Sequence, residues 1–184
     1  EVGGGFGGKG AGYMEPVAAI LSKKSAAPVK IVMTRKEVFE GTGPTSGTFM
    51  RCKIGVDNEG YIKAAQIFMA YEAGAYPGSP VGGGAFPALG AYKIDNLLVD
   101  GYDVVVNKPK TQSYRAPGQP QSAHAVEPVM DELAEKLGMD PMELRLKNAV
   151  HEGDMSPTGL PHSRFGCEEV MDAMKEHPHY TAPL

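Results

Sequence analysis

The chain has 184 residues, a formal net charge of −4 and 22% charged residues. That is the size of one ordinary domain, with no basic surface of the kind nucleic acid requires. No apolar run approaches the roughly 20 residues of a membrane span, and no signal-peptide pattern opens the chain. Cys52 and Cys167 form neither a CxxC pair nor a disulfide framework, and read as free thiols of a reducing, cytoplasmic compartment.

Residues Gly3-Gly4-Gly5-Phe6-Gly7-Gly8-Lys9 come first, five glycines around one aromatic ring. Such a run makes a poor helix or strand, so a loop with at least one positive φ is expected. Its use is to bring bare backbone N–H groups close to a ligand. Glu1-Val2 enters it without a lead-in element, and the chain reads as cut from a larger protein. Residues 14–26 read as a short helix with Pro16 in its first turn and Val17, Ile20 and Leu21 on one face. A brief strand is expected over 29–33. Thr34 and Glu37 then form a capping-box pattern, and Gly41-Thr42-Gly43-Pro44 ends the helix they start.

A β-hairpin follows, with strands near 47–57 and 61–72 around Asn58-Glu59-Gly60. Cys52, Ile54 and Val56 alternate with Arg51, Lys53 and Gly55, which predicts one buried and one wet face. Residues 74–91 read as a long Gly/Pro-rich loop without a pattern of its own, expected to be mobile, with Tyr76, Val81, Phe86 and Leu89 its few apolar anchors. A strand is expected over 96–106. A second Gly/Pro knot, Tyr114-Arg115-Ala116-Pro117-Gly118-Gln119-Pro120-Gln121, leads into a helix over 119–137. Its stripe is Ala123, Val126, Met130, Leu133 and Leu137, with Pro128 expected to kink it or delay its start. Asp140-Pro141 starts another helix over 141–148, and a last short one covers 166–175. Mixed strands and helices without steady βα alternation give an α+β class with a mixed or antiparallel sheet. Two loops rich in N–H groups, one at a helix start, point to an anionic, oxygen-rich ligand.

Five blocks in order carry a family pattern: Gly3–Lys9, Glu72–Tyr76, Ala91–Asn96, Tyr114–Gly118 with Pro120-Gln121, and Met130–Ala134 running on to Leu137–Asn148. Over residues 1–150 the chain resembles the molybdopterin-binding region of the xanthine dehydrogenase / aldehyde oxidase family, with 151–184 as a peripheral segment. The resemblance implies a molybdenum hydroxylase that oxidises an aldehyde, aromatic or N-heterocyclic substrate with water as oxygen source. The implied cofactor is molybdopterin or its cytosine dinucleotide, with iron–sulfur clusters and flavin on other domains or subunits. The metal is then held by the cofactor's dithiolene, and no protein metal ligand is implied. Cofactor contacts fall on Gly5, Phe6, Gly7, Gly8, Tyr114, Arg115, Ala116, Gly118, Gln119 and Gln121. The substrate pocket falls on Gly83, Phe86 and Pro117. The implied partners are the rest of the large subunit and the iron–sulfur and flavin units.

Three positions depart from purine-oxidising members: Gly10 stands for a glutamate, Gly83 for a substrate-facing arginine and Pro117 for a ring-stacking phenylalanine. A purine edge left unpaired costs about 1–3 kcal/mol per group. Xanthine is therefore a poor fit, and a more open pocket is expected. The family's catalytic glutamate lies in a segment this sequence does not contain, and Glu72, Glu127 and Glu132 do not match it. The isolated chain is accordingly expected to hold no cofactor and to be inactive. Glu132 is expected on a solvent face and His124 as a packing or capping residue. Two other readings stand beside this one. A non-catalytic anion- or nucleotide-binding module is disfavoured by Gly10, where a phosphate-binding loop needs Ser or Thr. A structural or assembly domain without cofactor is disfavoured by the intact loop motifs.

Overall fold

The computed structural model describes residues 4–8 and 10–183. Gly3 and Lys9 of the first motif lie outside them. The elements run α1 (Glu15–Ser25), α2 (Arg35–Gly41), β1 (Thr48–Val56), β2 (Ile62–Gly74), α3 (Val81–Ala85), β3 (Leu97–Val105), α4 (Gln119–Leu137), α5 (Pro141–Lys147) and α6 (Cys167–Lys175). The sheet order is β1-β2-β3, with β2 antiparallel to β1 and parallel to β3. The α+β class with a mixed sheet holds.

The hairpin follows from its turn. Asp57 Oδ1 accepts the Glu59 and Tyr61 amides at 3.1 and 2.8 Å, and Gly60 takes φ 88°. β1 shows the expected alternation, with Cys52, Ile54 and Val56 half-buried and Arg51, Lys53 and Gly55 exposed. β2 is the spine: Ile67, Met69 and Tyr71 are fully buried, packed in one core with Val126, Met130 and Ala134 of α4, Leu144 of α5, and Leu89. A parallel return from β2 to β3 needs a long crossover, and residues 75–96 supply it.

Sequence and structure part in four places. Residues 29–33 pair with no strand among the described residues; Val29, Ile31 and Met33 alternate with exposed neighbours, but none of those residues offers a ladder. The stretch 74–91 is not a patternless loop. It holds α3, and Gly84, Ala88 and Leu89 are buried. Helix propensity disfavours Gly82-Gly83-Gly84, yet a Cβ on Gly83 would collide with the Pro117 carbonyl and one on Gly84 with the Tyr71 hydroxyl, while Gly82 faces open space. Close packing outweighs propensity. α4 neither starts late nor breaks at Pro128, which lies on its exposed side. Its buried stripe is Ser122, Val126, Met130 and Ala134 rather than one through Ala123, which is exposed.

Asn148 ties these pieces together. Its Oδ1 accepts the Ile62 amide at 2.8 Å, and its Nδ2 donates to the Gly60 and Leu144 carbonyls at 2.8 and 2.9 Å. Beside it, Arg145 bridges Glu127 and Asp131 of α4, and the Tyr92 hydroxyl donates to Glu127. Burial and the Glu127 charge push the Tyr92 phenol far up. Glu127 thus has a structural post. Among the described residues no helix is long and apolar enough to cross a membrane.

Candidate functional site: two glycine loops in contact

The first loop turns tightly, with the Gly8 amide donating to the Gly5 carbonyl at 2.9 Å. Phe6 sits in the left-handed region at φ 51°, and Gly7 follows at φ 94°. A non-glycine residue there carries backbone strain of about 1–3 kcal/mol, a feature concentrated at ligand-holding turns. The Phe6 ring is 70% exposed, so it fills no core. A methyl on Gly7 would stand 2.8 Å from the Tyr114 Cα and 2.9 Å from the Ser113 carbonyl carbon. The two loops, more than a hundred residues apart in the chain, therefore touch backbone to backbone.

The second loop is held from within. The Tyr71 hydroxyl donates to the Gly118 carbonyl at 2.8 Å. The Gly118 amide donates to the Tyr114 hydroxyl at 3.2 Å, and that hydroxyl donates to Gln121 Oε1 at 2.5 Å. Gln121 Nε2 reaches Thr45 Oγ1 at 3.2 Å. Ala116 is strained at φ 52°, and Gly118, at φ 93°, packs on Pro80 and Gly84 so closely that no Cβ fits. Burial pushes the Tyr71 phenol up to about 12, so it remains a donor across the physiological range.

Gly5, Phe6, Gly7 and Gly8 therefore form one turn, and Tyr114, Ala116, Gly118, Gln119 and Gln121 the turn against it. The side chains of Tyr114 and Gln121 serve to hold the loop. Arg115 is exposed, and its guanidinium makes no hydrogen bond or ion pair among the described residues. The knot is anchored by Tyr71 and Tyr114. Gly83 and Pro117 share the wall of one pocket, whereas Phe86 lines a separate groove beside Leu97 and the 153–159 segment. His124 and Glu132 are exposed, so His124 neither packs in the core nor caps the helix.

Sequence reasoning missed Tyr71 altogether. The signal was present, since a large phenol on the inward face of a central strand needs a partner for its hydroxyl.

The arrangement suits a ligand with many acceptor oxygens. α4 opens on Gly118 without a side-chain cap; the Gln119 amide donates to the Ala116 carbonyl at 3.2 Å and Pro120 has no N–H, which leaves the Gln121 amide as the first-turn donor without a partner among the described residues. The donors are fixed backbone dipoles on strained turns, and they need no reorganisation when a charge arrives. Among the described residues no three His, Cys, Asp or Glu side chains gather around a point that could hold a metal ion.

The family described as the molybdopterin cofactor-binding domain matches residues 1–149. The nicotinate dehydrogenase large molybdopterin subunit of Eubacterium barkeri is 32% identical over 95% of this chain and 42% of its own length. The aldehyde oxidoreductase structure from Desulfovibrio gigas superposes with a TM-score of 0.83 at 31% identity, over 95% of this chain and 20% of that one. Quinoline 2-oxidoreductase from Pseudomonas putida 86 gives 0.85 at 26% identity, over 96% and 24%. The chain thus spans under half the length of these relatives.

Proposed function

The chain belongs to the family of molybdopterin cofactor-binding domains, and on that premise we propose that it forms one wall of the cofactor site of a molybdenum-dependent oxidoreductase. The observation that carries this reading is the backbone contact of Gly7 with Ser113 and Tyr114, which brings two strained, N–H-rich turns to one place. The turn Gly5–Gly8 and the segment Tyr114–Gln121 would hold the cofactor by backbone donors. The bound cofactor would supply the redox chemistry that oxidises an aldehyde, aromatic or N-heterocyclic substrate, with water as the oxygen source. The chain's own contribution is positional. Tyr71 and Tyr114 fix Gly118, Gly118 sets the start of α4, and the Gln121 amide left open there would meet the ligand without rearranging. Arg115, unpaired among the described residues and beside the turn, adds positive charge next to an anionic group.

The names of the relatives support the substrate range, since they cover an aldehyde and two nitrogen-containing rings. The remaining cofactors, iron–sulfur clusters and flavin, and the catalytic glutamate belong in this proposal to other parts of the parent. The isolated chain is then inactive and holds no molybdenum. Metal and pterin analysis of the purified parent, followed by turnover on a panel of aldehydes and N-heterocycles, tests the reading. Stoichiometric molybdenum with oxidation of at least one class supports it. A parent free of molybdenum and pterin ends it. Within the parent, at equal molybdenum loading, Arg115→Ala lowers kcat/KM more than Glu132→Ala; equal values would leave Arg115 a bystander.

A further inference from the structure

A pocket of about 310 Å³ opens beside the knot, between the turn 78–80, Gly83, the segment 110–113 and Pro117. Its volume is at the low end of ligand pockets, roughly 300–1,000 Å³, and suits one ring with a small substituent. It adjoins the cofactor turns directly, because Ser113 in its wall is the residue against which Gly7 packs. Its walls are fixed. Gly83 lies on the Pro117 carbonyl with no room for a Cβ, and Gly118 lies on Pro80 in the same way.

One charged side chain lines the pocket, Lys110. The rest of the lining is hydroxyl, amide, proline ring and backbone. Lys110 is half-buried, and its Nζ donates to the Gly78 carbonyl at 2.7 Å. One of three ammonium donors is thereby used to aim the group, and two remain. The acid in this corner, Asp103 of β3, has its two oxygens on the Gly78 and Ser79 amides at 2.7 and 2.8 Å; its contacts with Ser79 and Gly78 lower its pKa most, with the Lys110 charge the smallest of the causes. Those bonds fix the turn that carries the Lys110 acceptor. A lining whose one charged side chain is an ammonium favours a singly anionic guest.

We infer that this pocket takes a substrate carrying a carboxylate on an aromatic ring, with Lys110 holding the carboxylate. The inference rests on the oxidoreductase reading and deepens it by naming the substrate class. The lysine reads the charge, and Gly83 and Pro117 leave space for the ring where bulkier side chains would close it.

The test is binding rather than turnover, in the intact parent enzyme with its molybdenum content measured. Benzoate and benzamide serve as probes, matched in size and differing in charge. Isothermal calorimetry is run on wild type, Lys110→Met and Lys110→Arg, with Lys23→Met on α1 as a remote control. Wild type is expected to bind benzoate at least tenfold tighter than benzamide, and Lys110→Met to abolish the difference. Lys110→Arg should retain part of it, Lys23→Met all of it, and added salt should shrink it. A wild type without the preference, or a preference that survives in Lys110→Met, overturns the inference. So does a Lys110→Met enzyme that loses molybdenum while wild type shows no preference, since the lysine then serves a phosphate of the cofactor. A parent without molybdenum defeats the oxidoreductase reading separately, because the binding preference is still measurable.

Discussion

Residues 10–45 and residues 48–150 use the same kinds of apolar side chain to opposite ends. Among the described residues none before Ser46 is buried, although α1 and the segment after it carry Ile20 at 57% exposure, Val32 at 74% and Phe39 at 70%. From β1 onward the pattern closes on itself: Ile67, Met69, Tyr71, Val126 and Met130 are fully buried in one core. Local structure is equally well specified in both regions. α2 has a complete capping box, with Thr34 Oγ1 accepting the Glu37 amide at 3.2 Å and Glu37 accepting the Thr34 amide at 2.7 Å. That amide holds the Glu37 carboxyl below its usual range. Local codes thus set elements in either region, while burial requires a complementary surface. Among the described residues the first region has none.

The comparison can be broken most severely at Gly118. A valine there meets a left-handed backbone and the Pro80 and Gly84 main chain together. Strain of about 1–3 kcal/mol adds to overpacking of about 1–3 kcal/mol. Gly118→Val is expected to lower the urea midpoint more than any surface change. Met130→Ala empties the centre of the core and should cost about 2–5 kcal/mol by the same measurement. Tyr71→Phe removes one buried hydrogen bond and leaves the Gly118 carbonyl short of a donor, about 1–2 kcal/mol. Amide exchange in its case should quicken at Gly118–Ser122 before it does in β1.

Smaller effects belong to the periphery. Lys93 pairs with Asp154 at 2.7 Å and, with the His151 amide, draws that carboxyl down to about 2. A depressed folded value means the contribution is present above the unfolded pKa of about 3.9 and is lost as pH falls through the folded one. The 151–162 segment should therefore loosen between about pH 4 and 2, read as faster amide exchange there. Asp154→Asn should remove the pH dependence. Ile20→Ser on α1 should change stability by less than about 0.5 kcal/mol. A loss above about 2 kcal/mol would show that the chain covers this face after all.

How much was legible follows the same division. The capping box, the Asn58-Glu59-Gly60 turn and the Asp140 cap were readable because each is a local hydrogen-bond code. Asp140 indeed accepts the Met142 and Glu143 amides at 2.8 and 3.0 Å. The loop at Gly5–Gly8 and its positive φ were readable from glycine density. α3 was not, because Gly82–Gly84 is helical only through what packs on it. The strand expected at 29–33 failed for the converse reason, since alternation without a neighbour makes no ladder. In the candidate site, the two loops were visible as glycine knots, but their contact was not. Neither was the partner of the Tyr71 hydroxyl, which exists only when β2 meets the start of α4, nor Lys110, whose acceptor comes from Gly78 and whose pocket is closed by Pro117.

The most direct test of the central claim, that the first loop and the knot build one cofactor wall by backbone contact, is a pair of substitutions in the parent protein. In Gly7→Ala the new methyl is forced against Ser113 and Tyr114 at a left-handed position, whereas in Gly10→Ala it meets only the Gly7 carbonyl at an ordinary 3.6 Å. Molybdenum and pterin content per protein should fall several-fold in Gly7→Ala and stay at the wild-type level in Gly10→Ala, with both variants folded by circular dichroism. Wild-type cofactor content in Gly7→Ala would contradict the account.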